Sequence, residues 1–129
     1  HLSIRRQRQM CIRDRLMPPE PVQHAMAVAL GDDEHVAAQK ELYRGRRDIL
    51  RPALEAAGFR IDGSEAGLYL WATEGQDAWT SIERLADLGI LAGPGPFYGA
   101  FSNEHVRLAL TAPSERIAEG ARRLREQAV

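Results

Sequence analysis

After Pro21, Val22, Ala25, Met26 and Ala29 recur at helical spacing, which predicts a short helix ending near Leu30 and stopped by Gly31. Asp32 or Asp33 is placed to cap a second helix by accepting a backbone N–H that the helix leaves unpaired. That helix is long, running to about Ala57 before the breaker Gly58, with Val36, Leu42, Tyr43, Ile49, Leu50, Ala53, Leu54 and Ala57 as its apolar stripe. Pro52 lies inside the stripe and lacks the N–H that would bond Asp48, so a kink is expected there. Arg44, Asp48 and Arg51 are spaced to form ion pairs along an exposed face.

Beyond Gly58 the period shortens from 3.6 to 2. Phe59-Arg60-Ile61 predicts a short strand and Asp62-Gly63 a turn. Residues 67–72 (Gly-Leu-Tyr-Leu-Trp-Ala) are apolar on both faces, as in a strand central to a sheet covered on both sides. Asp77 caps a further helix, with Trp79, Ile82, Leu85 and Ala86 expected inward and an end near Leu88-Gly89. Ile90-Leu91-Ala92 predicts another strand, and residues 93–99, rich in Gly and Pro, a rigid loop. Val106 to Leu110 alternates as a strand. A last helix starts at Thr111 or Ser114, with Ile117, Ala121 and Leu124 on one face and Arg122, Arg123 and Arg125 outward. The order helix, long helix, strand, strand, helix, strand, strand, helix describes a small α/β sandwich, a three- or four-stranded sheet layered by helices.

Composition narrows this further. A chain of 129 residues suits one domain, and 44% hydrophobic with 27% charged residues is ordinary globular usage. One cysteine excludes an internal disulfide framework. No apolar run approaches a membrane span, and a net charge of −1 gives no reason to expect a polyanion, so neither membrane nor nucleic acid is an expected partner. The average conceals a seam. Residues 1–15 (HLSIRRQRQMCIRDR) hold five arginines and one acid, leaving twelve bases against seventeen acids in the rest. Such an arm could neutralise phosphates. The string SIRRQRQMCIRDR, however, resembles the translation of sequencing-adapter DNA. Residues 1–15 are therefore expected to be non-native: helix-forming in composition, but with no function in Cys11 or the arginines.

Chemistry is sparse. His1, His24, His35 and His105 have no metal-ligand spacing and read as surface or cap residues. The loop at 93–99 is a poor phosphate cradle, because Pro94 and Pro96 remove two N–H groups; it reads as a shaped wall. Lys40, the one lysine, falls on the polar side of the long helix. Arg107 stands out. Val106, Leu108 and Leu110 share one face of their strand, and Arg107, Ala109 and Thr111 the other. A lone arginine there is either solvated or aimed into a cleft, where its planar fork would suit a carboxylate.

Four stretches settle the family expectation: PEPVQHAM at 19–26, YRGRRDILRPALEAAGF at 43–59, GLYLWAT at 67–73, and LGILAGPGPFYG with HVRLALT at 88–99 and 105–111. In this order they resemble the C-terminal part of the class I/II, fold-type I, pyridoxal-phosphate-dependent aminotransferases. The likeness is nearest to the succinyldiaminopimelate aminotransferases of actinobacterial type, notably in AGFRID and SEAGLYLWAT. Aminotransferases for aspartate or aromatic amino acids share much of the pattern.

The resemblance implies several things. Residues 32–129 would form the small C-terminal domain, and residues 16–31 the helix leading into it from a large domain. Arg107 would grip the substrate α-carboxylate, with Phe97 and Tyr98 lining the pocket. The parent would be a cytoplasmic homodimer that uses pyridoxal 5'-phosphate to transfer an amino group between glutamate and a succinylated keto acid of lysine biosynthesis. The Schiff-base lysine and the other cofactor-holding groups of such enzymes have no counterpart in this sequence. The chain is thus expected to be a fragment that neither holds the cofactor nor transaminates alone. A stand-alone small-domain binding module is the other expectation, discriminated by the coding sequence upstream of Leu16.

Overall fold

The computed structural model describes residues 18–127. The expectations for residues 1–15, including their helical character and Cys11, lie outside the described residues. The chain divides into two units, residues 1–38 and 39–129.

In the first unit, α1 spans Glu20–Leu30. Pro21 sits in its first turn, where a missing N–H costs nothing, and the Pro19 carbonyl accepts from the N–H groups of Val22 and Gln23 at 2.9 and 3.1 Å. None of its residues is buried: Val22 and Met26 are about half exposed. Helix α2, Asp33–Ala56, begins under the Asp32 carboxylate, which accepts from the N–H groups of Glu34 and His35 at 3.1 and 3.3 Å. It crosses the unit boundary and runs through Pro52 as one continuous helix. Pro52 and Asp48 are both exposed, so water can take the carbonyl that the proline leaves without a donor. The helix ends as expected. Gly58 has φ +94°, and the Phe59 N–H returns to the Leu54 carbonyl at 3.0 Å.

The second unit carries the sheet. Strands β1 (Arg60–Ile61), β2 (Tyr69–Thr73), β3 (Gly93–Pro94) and β4 (His105–Ala109) lie in the order β1-β2-β4-β3, every pair antiparallel. Helix α3 spans Ala78–Asp87, and α4 spans Ser114–Gln127. Leu70 and Ala72 of β2 and Val106 and Leu108 of β4 point to one side. There they share a core with Leu50, Ala53 and Leu54 of α2, Leu85 of α3, and Ile117, Ala121 and Leu124 of α4.

Several local expectations are corrected. Strand β2 is interior to the sheet but fully covered on one face only: on the other, Tyr69 is 41% exposed and Trp71 half-buried, and only Thr73 at its end is buried. Aromatic side chains made that face read as core. In α3 the inward set is Ala78, Ser81 and Leu85 with Ile82, whereas Trp79 is 48% exposed and Ala86 exposed. Asp77 caps this helix by accepting from the Trp79 N–H at 2.9 Å, which turns position 78 rather than 79 toward the sheet. Residues 90–92 are not a strand. The Ile90 N–H closes α3 on the Leu85 carbonyl at 2.8 Å, Leu91 is fully exposed, and pairing with β4 begins only at Gly93. On α2, Arg44 pairs with Glu41 at 2.6 Å and Arg51 with Glu55 at 2.9 Å, rather than either with Asp48. The stripe of α2 is also shorter than expected, since Val36, Leu42 and Ile49 are exposed.

Arg46 ties α2 to α4 and to the segment just after β4. It donates from Nη1 to the Leu110 carbonyl at 2.9 Å and from Nε to the Ser114 hydroxyl at 3.2 Å. Hydrogen bonds from charged groups to partly buried acceptors contribute about 1.5–3 kcal/mol, so Arg46→Met is expected to lower the unfolding free energy by about 2 kcal/mol. Urea titration followed by circular dichroism measures it. An unchanged midpoint would show that water replaces the staple without loss.

Glu119 on α4 accepts from Arg122 Nε and Nη2 at 2.9 and 2.7 Å and from Arg123 Nε at 2.8 Å. These bonds, Arg122's first, hold its carboxyl at about 2 against an ordinary 4.5. A depressed carboxylate pKa stabilises the folded state above the unfolded value and loses that contribution as pH falls through the folded one. Glu119→Gln is therefore expected to flatten the decline of Tm from about pH 4.5 down to about pH 2, a difference that added salt shrinks because the pairs face water. Parallel Tm curves for the two proteins would remove the pairs from the acid response.

Candidate functional site

The alternation of β4 sends His105, Arg107 and Ala109 to the face of the sheet away from the core. The register sets Trp71 of β2 opposite Arg107 on one side and Gly93 of β3 opposite it on the other. Gly93 has no side chain, and the space is used. The chain turns through a 3-10 helix, Gly95–Tyr98, and Tyr98 folds back over β3. A Cβ at position 93 would lie 2.9 Å from the Tyr98 hydroxyl.

The Arg107 guanidinium is held between two rings, 4.2 Å from the centroid of Tyr69 and 4.5 Å from that of Tyr98. Faces of aromatic rings attract a cation and fix the plane of the guanidinium without using its N–H donors. Those donors stay open. Among the described residues Arg107 has no carboxylate partner, and its buried Nε has no acceptor. A half-buried, oriented, uncompensated fork is a receptor for a planar anion, and a carboxylate matches it with two parallel bonds.

Of the residues singled out in the sequence, Arg107 and Tyr98 are brought together. Phe97 is not: it is 71% exposed and meets Trp79 edge-on at 5.9 Å. Tyr69, Trp71 and Gly93 join the site without a signal of their own in the sequence. The odd positions of GLYLWAT carry the two aromatics, but only the register against β4 shows that they flank Arg107. His105 is also more than a surface residue. It is half-buried, stacks on Trp71 with centroids 5.2 Å apart and planes 9° from parallel, and has Nε2 3.1 Å from Asp62 Oδ2. Asp62 in turn takes two hydrogen bonds from Arg60, both 2.9 Å. Those bonds first, then the one with His105, hold its carboxyl well below the usual carboxylate range.

The described residues do not fit pyridoxal phosphate. Lys40 is exposed on α2, a helix packed against the opposite face of the sheet from Arg107. The 93–99 segment offers no phosphate cradle: Gly95 is buried against the carbonyl oxygens of Ser102 and His105, acceptors that would repel a phosphate. Among the described residues no group of His, Cys, Asp or Glu is placed to hold a metal ion, and no helix is long and apolar enough to cross a membrane.

Comparison with known proteins identifies the family. The family described as aminotransferase class I and II matches residues 3–124. The chain is 56% identical over 106 residues to the 4-dedimethylamino-4-oxo-anhydrotetracycline transaminase OxyQ of Streptomyces rimosus, covering 82% of this chain and 30% of that protein. It is 53% identical over 109 residues to a probable aminotransferase of Mycobacterium tuberculosis, covering 84% of this chain and 26% of that one. The solved structure of a probable N-succinyldiaminopimelate aminotransferase from Thermus thermophilus superposes with a TM-score of 0.64 at 32% identity, over 76% of this chain and 27% of that one. The chain thus spans less than a third of the length of these relatives. The chain belongs to the class I and II aminotransferases.

Proposed function

We propose that this chain supplies the carboxylate-binding wall of a pyridoxal-phosphate-dependent transaminase, with Arg107 as the clamp and Tyr69 and Tyr98 as the jaws that hold its plane. The observation that carries the reading is the guanidinium fixed between two rings, its buried Nε without an acceptor among the described residues. The cofactor, when bound by the complete protein, supplies the electron sink for amino transfer. This chain orients the substrate, a positioning role that converts random encounters into productive ones. The sequence holds one lysine, exposed Lys40, so the 129 residues alone are expected not to transaminate.

For the complete protein we read a cytoplasmic homodimer that moves an amino group from glutamate to a succinylated keto-diaminopimelate precursor. The likeness to the probable N-succinyldiaminopimelate aminotransferase of Thermus thermophilus supports the acceptor in this reading. A second reading has its own support: the 56% identity to OxyQ favours a 4-oxo-anhydrotetracycline as the acceptor. Both share the donor, whose α-carboxylate would sit on Arg107. The test is to supply the complete protein with glutamate and each acceptor in turn and to measure 2-oxoglutarate release. Turnover with the succinylated keto acid supports the first reading, turnover with the polycyclic ketone the second, and turnover with neither removes both. We also read residues 1–15 as foreign and 16–31 as the helix entering from a large domain. The family match reaches residue 3, so sequencing the DNA upstream of the Leu16 codon decides that point.

A further inference from the structure

The open face of the sheet holds a second set of contacts that the carboxylate clamp does not itself explain. The His105 ring lies flat on Trp71 (5.2 Å, 9°), and the Trp71 ring meets Tyr98 edge-on (5.9 Å, 81°). Tyr98 lies over the Arg107 guanidinium at 4.5 Å. At its outer end His105 is tied through Nε2 to Asp62, which is gripped by Arg60. The contacts form an unbroken path: Arg60, Asp62, His105, Trp71, Tyr98, Arg107.

Each link restricts the next for a physical reason. The Asp62 carboxylate, immobilised by two Arg60 bonds, accepts from the imidazole and sets the angle of its ring. A stacked pair resists tilting of either ring, and an edge-to-face pair has a preferred angle, so the plane of Trp71 constrains where Tyr98 rests. Tyr98 needs such support. It is 47% exposed, is the last residue of a short 3-10 helix, and has only the bare backbone of Gly93 beneath its hydroxyl. Tyr69, the other jaw, belongs to β2, and the ladder with β4 holds it in place. One jaw of the clamp is therefore built into the sheet and the other depends on a side-chain stack.

We propose that His105 is a positioning residue for the carboxylate site: anchored by Asp62, it fixes Trp71 and through it the Tyr98 jaw that sets the plane of Arg107. This rests on the reading of Arg107 as the carboxylate clamp, but the positioning itself is present without any ligand and can be tested separately.

The test uses the 129-residue chain labelled with nitrogen-15. The Trp71 indole and Arg107 Nε–H signals are identified by their loss in Trp71→Phe and Arg107→Lys. In ligand-free protein, His105→Ala is expected to move both signals, and His105→Phe, which restores a flat ring, to return the Arg107 signal toward its original place. Asp62→Ala leaves the imidazole but removes its anchor. It is expected to broaden or move the same two signals, and it carries the test if His105→Ala fails to fold. Displacement of the Trp71 signal with the Arg107 signal unmoved, in either alanine variant, overturns the proposal, as does failure of His105→Phe to restore the Arg107 signal. Titration with 2-oxoglutarate is then expected to need about tenfold more ligand in Asp62→Ala, the change produced by weakening one charge-assisted hydrogen bond. An equal midpoint in the variant and the parent chain also overturns it. If 2-oxoglutarate moves no Arg107 signal even in the parent chain, the clamp reading fails, while the ligand-free spectra still decide whether His105 positions the arginine.

Discussion

Gly95→Ala is expected to cost this domain more than any other single-methyl change. The position is buried at the start of the 3-10 turn, and a Cβ there would overlap the Ser102 carbonyl oxygen and lie 2.6 Å from that of His105. Both obstacles are backbone, so no rotamer change relieves them. The backbone cannot withdraw cheaply either, because the Ser102 carbonyl also accepts from the His105 N–H at 3.2 Å, at the start of β4. Overpacking of this kind costs about 3 kcal/mol or more, which for a domain of this size lowers Tm by more than about 10 °C. Gly45→Ala is the control. That position lies inside α2 with no atom within 4 Å of the added methyl, and the same substitution should there raise stability by up to about 1 kcal/mol. Thermal unfolding of both variants makes the comparison. A Gly95→Ala protein that melts with the parent would show that the 99–102 turn moves aside freely.

Arg107→Ala in the complete aminotransferase is expected to reduce kcat/KM for every α-carboxylate substrate by about a hundredfold or more, because it removes two charge-assisted bonds worth about 1.5–3 kcal/mol each. Arg107→Lys separates charge from shape. An ammonium keeps the charge but offers no planar fork, and it loses the stacked contact with Tyr69 and Tyr98. It should recover only a small part of the loss. If lysine restores full activity, the site recognises charge alone and the two rings are incidental. If alanine leaves the kinetics unchanged, Arg107 is outside the substrate site.

The parts of the structure legible in the sequence are those set by local chemistry. Asp32, Asp77 and Gly58 mark helix ends, because a cap or a left-handed residue acts on its own neighbours. The β4 alternation is equally local, and it alone places Arg107 opposite the core. What was not legible depends on competition between local contacts in two cases and on partners distant in sequence in the rest. Ile90 is apolar enough for a strand, yet its N–H is taken by the end of α3. Trp79 has the bulk of a core residue, yet the Asp77 cap fixes a helix phase that turns it outward. The side chains around Arg107 depend on distant partners. Tyr69 and Trp71 matter only through the register with β4, and Tyr98 only because the residue paired with Arg107 on β3 is a glycine. His105 reads as a surface residue for the same reason: its partners Asp62 and Trp71 come from 43 and 34 positions earlier in the chain.

The one-sided sheet has an evolutionary consequence. On β2 and β4 the residues that hold the domain together, Leu70, Ala72, Val106 and Leu108, alternate with those that face outward, Tyr69, Trp71, His105 and Arg107. Neighbours in the chain thus answer to different selective demands. Outward positions can be exchanged while the packing that keeps the protein folded stays intact, so that face can change without a compensating change in the interior. A scaffold arranged this way is well suited to diversification. Relatives named for a succinylated amino acid and for a tetracycline ketone can share this architecture without either having had to rebuild it.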